Sequence, residues 1–201
     1  MGNRVHVYPY RNVLHEQRTI EQTLGFAANV GNVANRLFHY GVHRVSVLYR
    51  LGGGFDYITR CPPDPLHQLD LGLIRAMMHL WFDSANHREV YYIGQPETVT
   101  NINTQLSAIK VPHTFKRKCR SLDDLNRFKG HEFRIWLLCY GPVLLKEHLP
   151  ENVWQHLLLL SAAAFHLSKR QIDAAEILRL KYSLRVFEMF FQDIYGTNNM
   201  T

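Results

Sequence analysis

Two short constellations in this 201-residue chain carry residue types that could do chemistry. The first is Asp64-Pro65-Leu66-His67-Gln68-Leu69-Asp70, an acidic and imidazole pair on a proline-bounded turn entering a helix. A carboxylate at Asp64 can cap that helix, and His67 falls in its first turn. On residue chemistry alone the pair reads equally as capping and surface residues or as part of a site. The second is Lys129-Gly130-His131-Glu132-Phe133-Arg134, where Glu132 opens an otherwise apolar helix. A lone carboxylate there is either a partner for the helix dipole or one ligand of a divalent cation. Magnesium is held by one or two carboxylates together with phosphate oxygens, so a single glutamate favours the dipole reading.

Other chemistries find less support. Twelve histidines are spread along the chain, but no H-E-x-x-H occurs. His39 and His43 lack an acidic third ligand, and Cys61 with His67 lacks the second pair that a zinc knuckle needs, so no resident metal is expected. Neither G-x-S-x-G nor G-x-G-x-x-G is present, and Gly52-Gly53-Gly54 lacks the Lys-Ser/Thr element of a phosphate loop. A Cys–His nucleophile is formally available from Cys119 or Cys139, although Cys139 sits in an apolar helical run and reads as an inert core thiol.

The cations are a separate signal. Lys and Arg number 23 against 17 Asp and Glu, a formal charge of +6. That excess is +4 over residues 1–60, +2 over 61–120 and zero over 121–201. Arg44, Arg50, Lys116, Arg117, Lys118 and Arg120 are the candidate nucleic-acid contacts, because such side chains neutralise phosphates and release counterions. A solvated basic loop is the plainer reading of the same residues. The cluster around Cys119 is too short and interrupted for an ordinary nuclear address.

These groups must be positioned by a chain that is 46% hydrophobic, which excludes disorder. Its most apolar run, residues 157–165, is far shorter than the roughly 20 residues of a membrane span, so no membrane partner is expected. Three cysteines without a C-x-x-C pair point to an intracellular setting. Residues 4–8, 45–51 and 90–93 read as short strands, and 19–38 as one or two helical pieces weakened by Gly25 and Gly31. Pro62, Pro63 and Pro65 mark a boundary, after which a helix is expected over 66–82 with Leu69, Leu73, Met77 and Leu80 as its apolar stripe. Further helices are expected over 97–109, from Ser121 onward, over 129–148 with a break or kink at Gly141-Pro142, over 151–167 and over 171–195. Phe187, Phe190, Phe191 and Tyr195 fit a core face of the last one and, failing that, an interaction face.

The segments CPPDPLHQLDLGLIRAMMHLWF, RSLDDLNRFKGHEFRIWLLCYGPVLL, LPENVWQHLLLLSAAAFHLS and AAEILRLKYSLRVFEMFFQDIYGTNNMT resemble transposase-derived proteins of the CACTA-like kind. The resemblance runs from about residue 4 to the end and is most specific over 61–82 and 121–196. It implies an α+β, predominantly helical fold: a partial RNase H-like core with inserted and C-terminal helices. Residues 1–60 would be the remnant of the core's front portion, and residues 61–201 the helical portion carrying both constellations. In such enzymes three carboxylates hold two divalent metals. Glu132 resembles the third of these, and Asp64 with His67 resembles a D-x-x-H signature with a supporting role.

The first two carboxylates have no counterpart here. The expectation is a transposon-derived fragment without catalysis of its own, needing no cofactor although complete relatives use Mg2+. Residual DNA contact and a nuclear rather than cytoplasmic location go with that reading. The alternative is a helical interaction module, self-associating or joined by a partner that covers exposed sheet edges. An active nuclease using Glu132 with Asp64 or Asp70 is the least favoured.

Overall fold

The computed structural model describes residues 8–11, 18–30, 42–45, 47, 56, 58, 60, 62–110 and 118–200. The chain divides into two compact units, one of Met1–Tyr10 with Pro65–Thr201 and one of Arg11–Asp64. The division falls at the proline-rich segment around Pro62, Pro63 and Pro65. It also assigns the first ten residues to the larger unit.

In the Arg11–Asp64 unit the described helix is α1, Ile20–Ala28. Thr19 and Gln22 cap it reciprocally: Gln22 N–H donates to Thr19 Oγ1 at 3.1 Å, and Thr19 N–H to Gln22 Oε1 at 2.9 Å. The strand expected over 45–51 lies mostly outside the described residues, as do residues 4–7 of the first strand and the Gly52–Gly54 run.

The larger unit is built from helices. Pro65, whose fixed φ suits a helix start, leads into a π-wound segment, Leu66–Ile74, that continues directly as α2, Arg75–Phe82. Wider π turns shift the phase of the inward face. The fully buried line is therefore Ile74, Met77, Met78 and Trp81, while Leu69, Leu73 and Leu80 pack at its margin. The chain turns out of α2 at Asp83, whose carboxylate accepts from Ala85 N–H at 3.0 Å. It enters α3, Pro96–Ala108, with proline again at the start.

A 3-10 turn over Leu122–Arg127, with Ser121 as N-cap, precedes α4, Gly130–Ile135. The helix then passes through π-wound Trp136–Tyr140 into α5, Gly141–Leu144. No break occurs at Gly141-Pro142. Widening the turn ahead of the proline accommodates the ring and the missing N–H that would clash in a regular α-helix. Gly141 is needed there: a Cβ would sit 2.7 Å from the Trp136 carbonyl oxygen and 3.3 Å from Leu157. Two longer helices finish the unit, α6, Glu151–Leu167, and α7, Ala174–Tyr195. Asp173 caps α7 by accepting from Glu176 N–H at 2.7 Å, and Gly196 ends it at φ 81°.

The interior is a continuous apolar cluster joining all these elements, with Trp81, Phe133, Trp136, Leu157, Phe187 and Phe191 among its large members. Trp81 Nε1 donates to the Tyr195 hydroxyl at 3.1 Å and ties α2 to α7. His156 is 3% exposed and stacks on Phe187 with ring centres 4.1 Å apart.

Of the described residues about 68% are helical, and among them no strand or sheet forms. The α+β class with a partial RNase H-like core is thereby overturned: the fold is all-α. Segment 90–93 shows the cause. Tyr92 N–H bonds to the Glu89 carbonyl at 3.1 Å and Ile93 N–H to the Trp81 carbonyl at 2.7 Å, so a turn and a helix end satisfy the backbone that a neighbouring strand would otherwise pair. A partner covering sheet edges likewise finds no edge among the described residues. Cys139 is a second correction, being exposed rather than a core thiol, because the π turn rotates it off the buried face. Among the described residues no helix is long and apolar enough to cross a membrane.

Candidate nucleic-acid interface

Glu132 sits at the third position of α4 and is 2% exposed. Both of its oxygens are engaged. Oε1 accepts from the backbone N–H of Arg120 at 3.2 Å and from Arg120 Nε at 3.0 Å. Oε2 accepts from Arg120 Nη2 at 2.5 Å and from Lys129 N–H at 2.8 Å. Burial pushes the carboxyl upward, but the Arg120 side chain and the two backbone donors outweigh it and hold Glu132 down to about 2. The same contact raises Arg120 above its ordinary value. Arg120 is further fixed by a hydrogen bond to the Arg127 carbonyl and by lying 5.9 Å from the centre of the Phe128 ring.

This clamp pins the segment before the 3-10 turn onto the start of α4. Gly130 lies where α4 begins against the side chains of Leu66 and Leu71 of the π-wound segment. Beside the clamp lies an open concavity of about 330 Å³ lined by Lys118, Arg120, Lys129, His131 and Glu132. Lys118, Lys129 and His131 are exposed on its rim, with no carboxylate partner among the described residues. No family model, no curated protein and no solved structure matches the chain.

The expected site residues scatter differently from the sequence reading. Lys118 and Arg120 come together at the concavity, but the Arg120 guanidinium, though partly exposed, is paired with Glu132. Arg50, Lys116 and Arg117 lie outside the described residues, as do His39 and Cys61. Arg44 and Asp64 are exposed in the Arg11–Asp64 unit, and His67 is exposed in the first turn of the π-wound segment. Lys129 and His131 were within the second constellation but not among the basic candidates; they flank Glu132 in sequence, which is the signal that could have found them.

Asp70 is the other buried carboxylate, with Oδ2 at 3.5 Å from Arg134 Nη1 on α4. Its pairing joins α4 to the π-wound segment across 64 positions of sequence, beyond the reach of spacing rules. Cys119 is pushed up to about 12, by burial first and the Glu132 charge second, so it is a poor nucleophile at neutral pH.

Among the described residues, no group of three His, Cys, Asp or Glu side chains could hold a metal ion. Glu132 does not fit a divalent cation in this arrangement, because a guanidinium already occupies the front of both oxygens. No step through magnesium follows from this geometry. What the arrangement can do is present positive charge on a rigid support: the clamp fixes the backbone of residues 120 and 129 and leaves the ammonium groups of Lys118 and Lys129 at the rim.

Proposed function

We propose that this chain is a transposase-derived helical module that contacts the DNA backbone and does not itself cut or join strands. The observation that carries the reading is the concavity at the start of α4, where Lys118, Lys129 and His131 surround a Glu132 whose charge is fully taken by Arg120. With the only buried acid of this site neutralised by its own partner, the rim is left net positive, which suits a phosphate and repels a cation. The resemblance of residues 61–82 and 121–196 to CACTA-like transposases supports the origin. The engaged state of Glu132 supports the absence of metal-dependent cleavage.

Fluorescence anisotropy with a labelled duplex, titrated with salt, tests the contact. Binding is expected at about 50 mM salt, with a log–log salt slope that falls by roughly 0.9 for each phosphate contact removed. Lys118→Ala with Lys129→Ala should lower that slope by about 2. Absence of binding at low salt, or an unchanged slope in the double variant, removes the proposal. Cleavage of the duplex in magnesium that is abolished by Glu132→Gln would remove its second half.

A further inference from the structure

Beyond any DNA contact, we propose that the chain pairs with a second copy of itself through the outer face of α7, antiparallel. Residues Leu180, Phe187, Phe191 and Tyr195 of this helix point into the core. On the opposite side Leu178 is 70% exposed and Tyr182 72% exposed. With Arg185 and Met189 they follow a four–three–four spacing, the seam along which helices pair. Leu178 and Tyr182, one turn apart, are the large side chains of this seam that face water, Arg185 and Met189 being half-buried, and such a pair marks an interaction surface.

The charges bordering that seam select the occupant. Arg179 and Lys181 lie exposed in the first half of α7, and Glu188 and Asp193 lie exposed in the second. At 100° per residue, Lys181 and Glu188 border one edge of the seam, and Arg179 and Asp193 border the other. A parallel copy would set like charges side by side. An antiparallel copy sets Lys181 opposite Glu188 of the second copy along one edge, and Arg179 opposite Asp193 of the second copy along the other. The two pairings share a two-fold centre to within about 2 Å of helix rise, well inside the reach of Lys and Arg side chains. The bordering charges are thus complementary to themselves, as an interface between identical copies requires, and these four ion pairs outnumber the single like-charge contact of Arg185 with its own copy at the two-fold centre.

Light scattering coupled to size exclusion on the full chain, without DNA, reads the outcome. A dimer mass is expected at about 100 µM, with dissociation on dilution. Leu178→Asp with Tyr182→Asp should weaken it by at least about ten-fold while circular dichroism stays unchanged, since both side chains lie away from the core. Arg179→Glu with Lys181→Glu should also weaken the dimer. Adding Glu188→Lys and Asp193→Lys to that same chain should restore it, because reversing all four charges keeps the antiparallel match. A monomer at about 200 µM overturns the proposal. So does a dimer indifferent to the seam variant, or one that the four-charge reversal fails to restore.

Discussion

Acid should loosen this fold in a pH range set by one buried imidazole. His156 Nε2 lies 2.9 Å from the Phe187 carbonyl oxygen, so that nitrogen carries the proton and donates. Nδ1 is buried and has no hydrogen-bond partner among the described residues. Protonating it would place both a charge and an unmet donor beside Phe187, Phe191 and Tyr195. Burial is the dominant cause and lowers His156 to about 4, against a smaller opposing effect of the Phe187 carbonyl.

The unfolded chain takes up this proton near pH 6.5 and the folded chain only near 4, so stability is complete above 6.5 and declines as pH falls toward 4. A shift of this size corresponds to about 3 kcal/mol in full, of which about 2 kcal/mol is already lost at pH 5. Urea unfolding followed by tryptophan fluorescence at pH 8, 6.5 and 5 measures the loss. His156→Phe keeps the stacking on Phe187 and removes the titration, so its stability should lose most of its slope between pH 6.5 and 4. A wild-type chain as stable at pH 5 as at pH 8, or a phenylalanine variant with the same slope as wild type, would refute the reasoning.

Two further outcomes follow from the clamp and from one tight turn. Arg120→Ala leaves the Glu132 carboxylate buried without its cation and should lower the urea midpoint at pH 7. Combining it with Glu132→Gln should recover part of that loss in the same urea assay. The Glu132 contribution is present above about pH 4.5 and is lost as pH falls toward 2, below most of the His156 window. Gly94→Ala would put a Cβ 2.4 Å from the Phe82 carbonyl oxygen, a backbone atom that cannot swing aside. That variant should lose about 1–3 kcal/mol, read as a lower thermal midpoint; an unchanged midpoint would refute the close approach of Gly94 to Phe82.

The helical run from Pro65 to Phe82 and the helices ending near Leu167 and Tyr195 were legible because proline, apolar periodicity and Gly196 mark them locally. The π windings were not, since their residues carry the same apolar signal as an ordinary helix. They moved the buried line from Leu73 to Ile74 and turned Cys139 outward. Val90–Ile93 read as a strand by composition, but composition records only a preference for a half-buried extended backbone, and here α2 supplies the bonding partner. The site was half legible. Glu132 stood out as a charge among apolar residues, whereas its pairing with Arg120 across 12 positions depends on how the 3-10 turn folds back. The sequence reading put Phe187, Phe190, Phe191 and Tyr195 together on a core face; three of them are buried, but Phe190 is 44% exposed.

The larger unit is closed by its own beginning. Tyr8 N–H bonds to the Met200 carbonyl at 2.7 Å, and Tyr10 N–H to Gln192 Oε1 at 2.9 Å, across a separation of 182 positions. On the ribosome, Tyr10 is made 182 residues before its partner Gln192. At roughly 5–20 residues per second, it waits on the order of ten to forty seconds before it can dock. Throughout that interval the backbone donors of Tyr8 and Tyr10 lack these two acceptors, so docking of this segment is a late step in the folding of the larger unit.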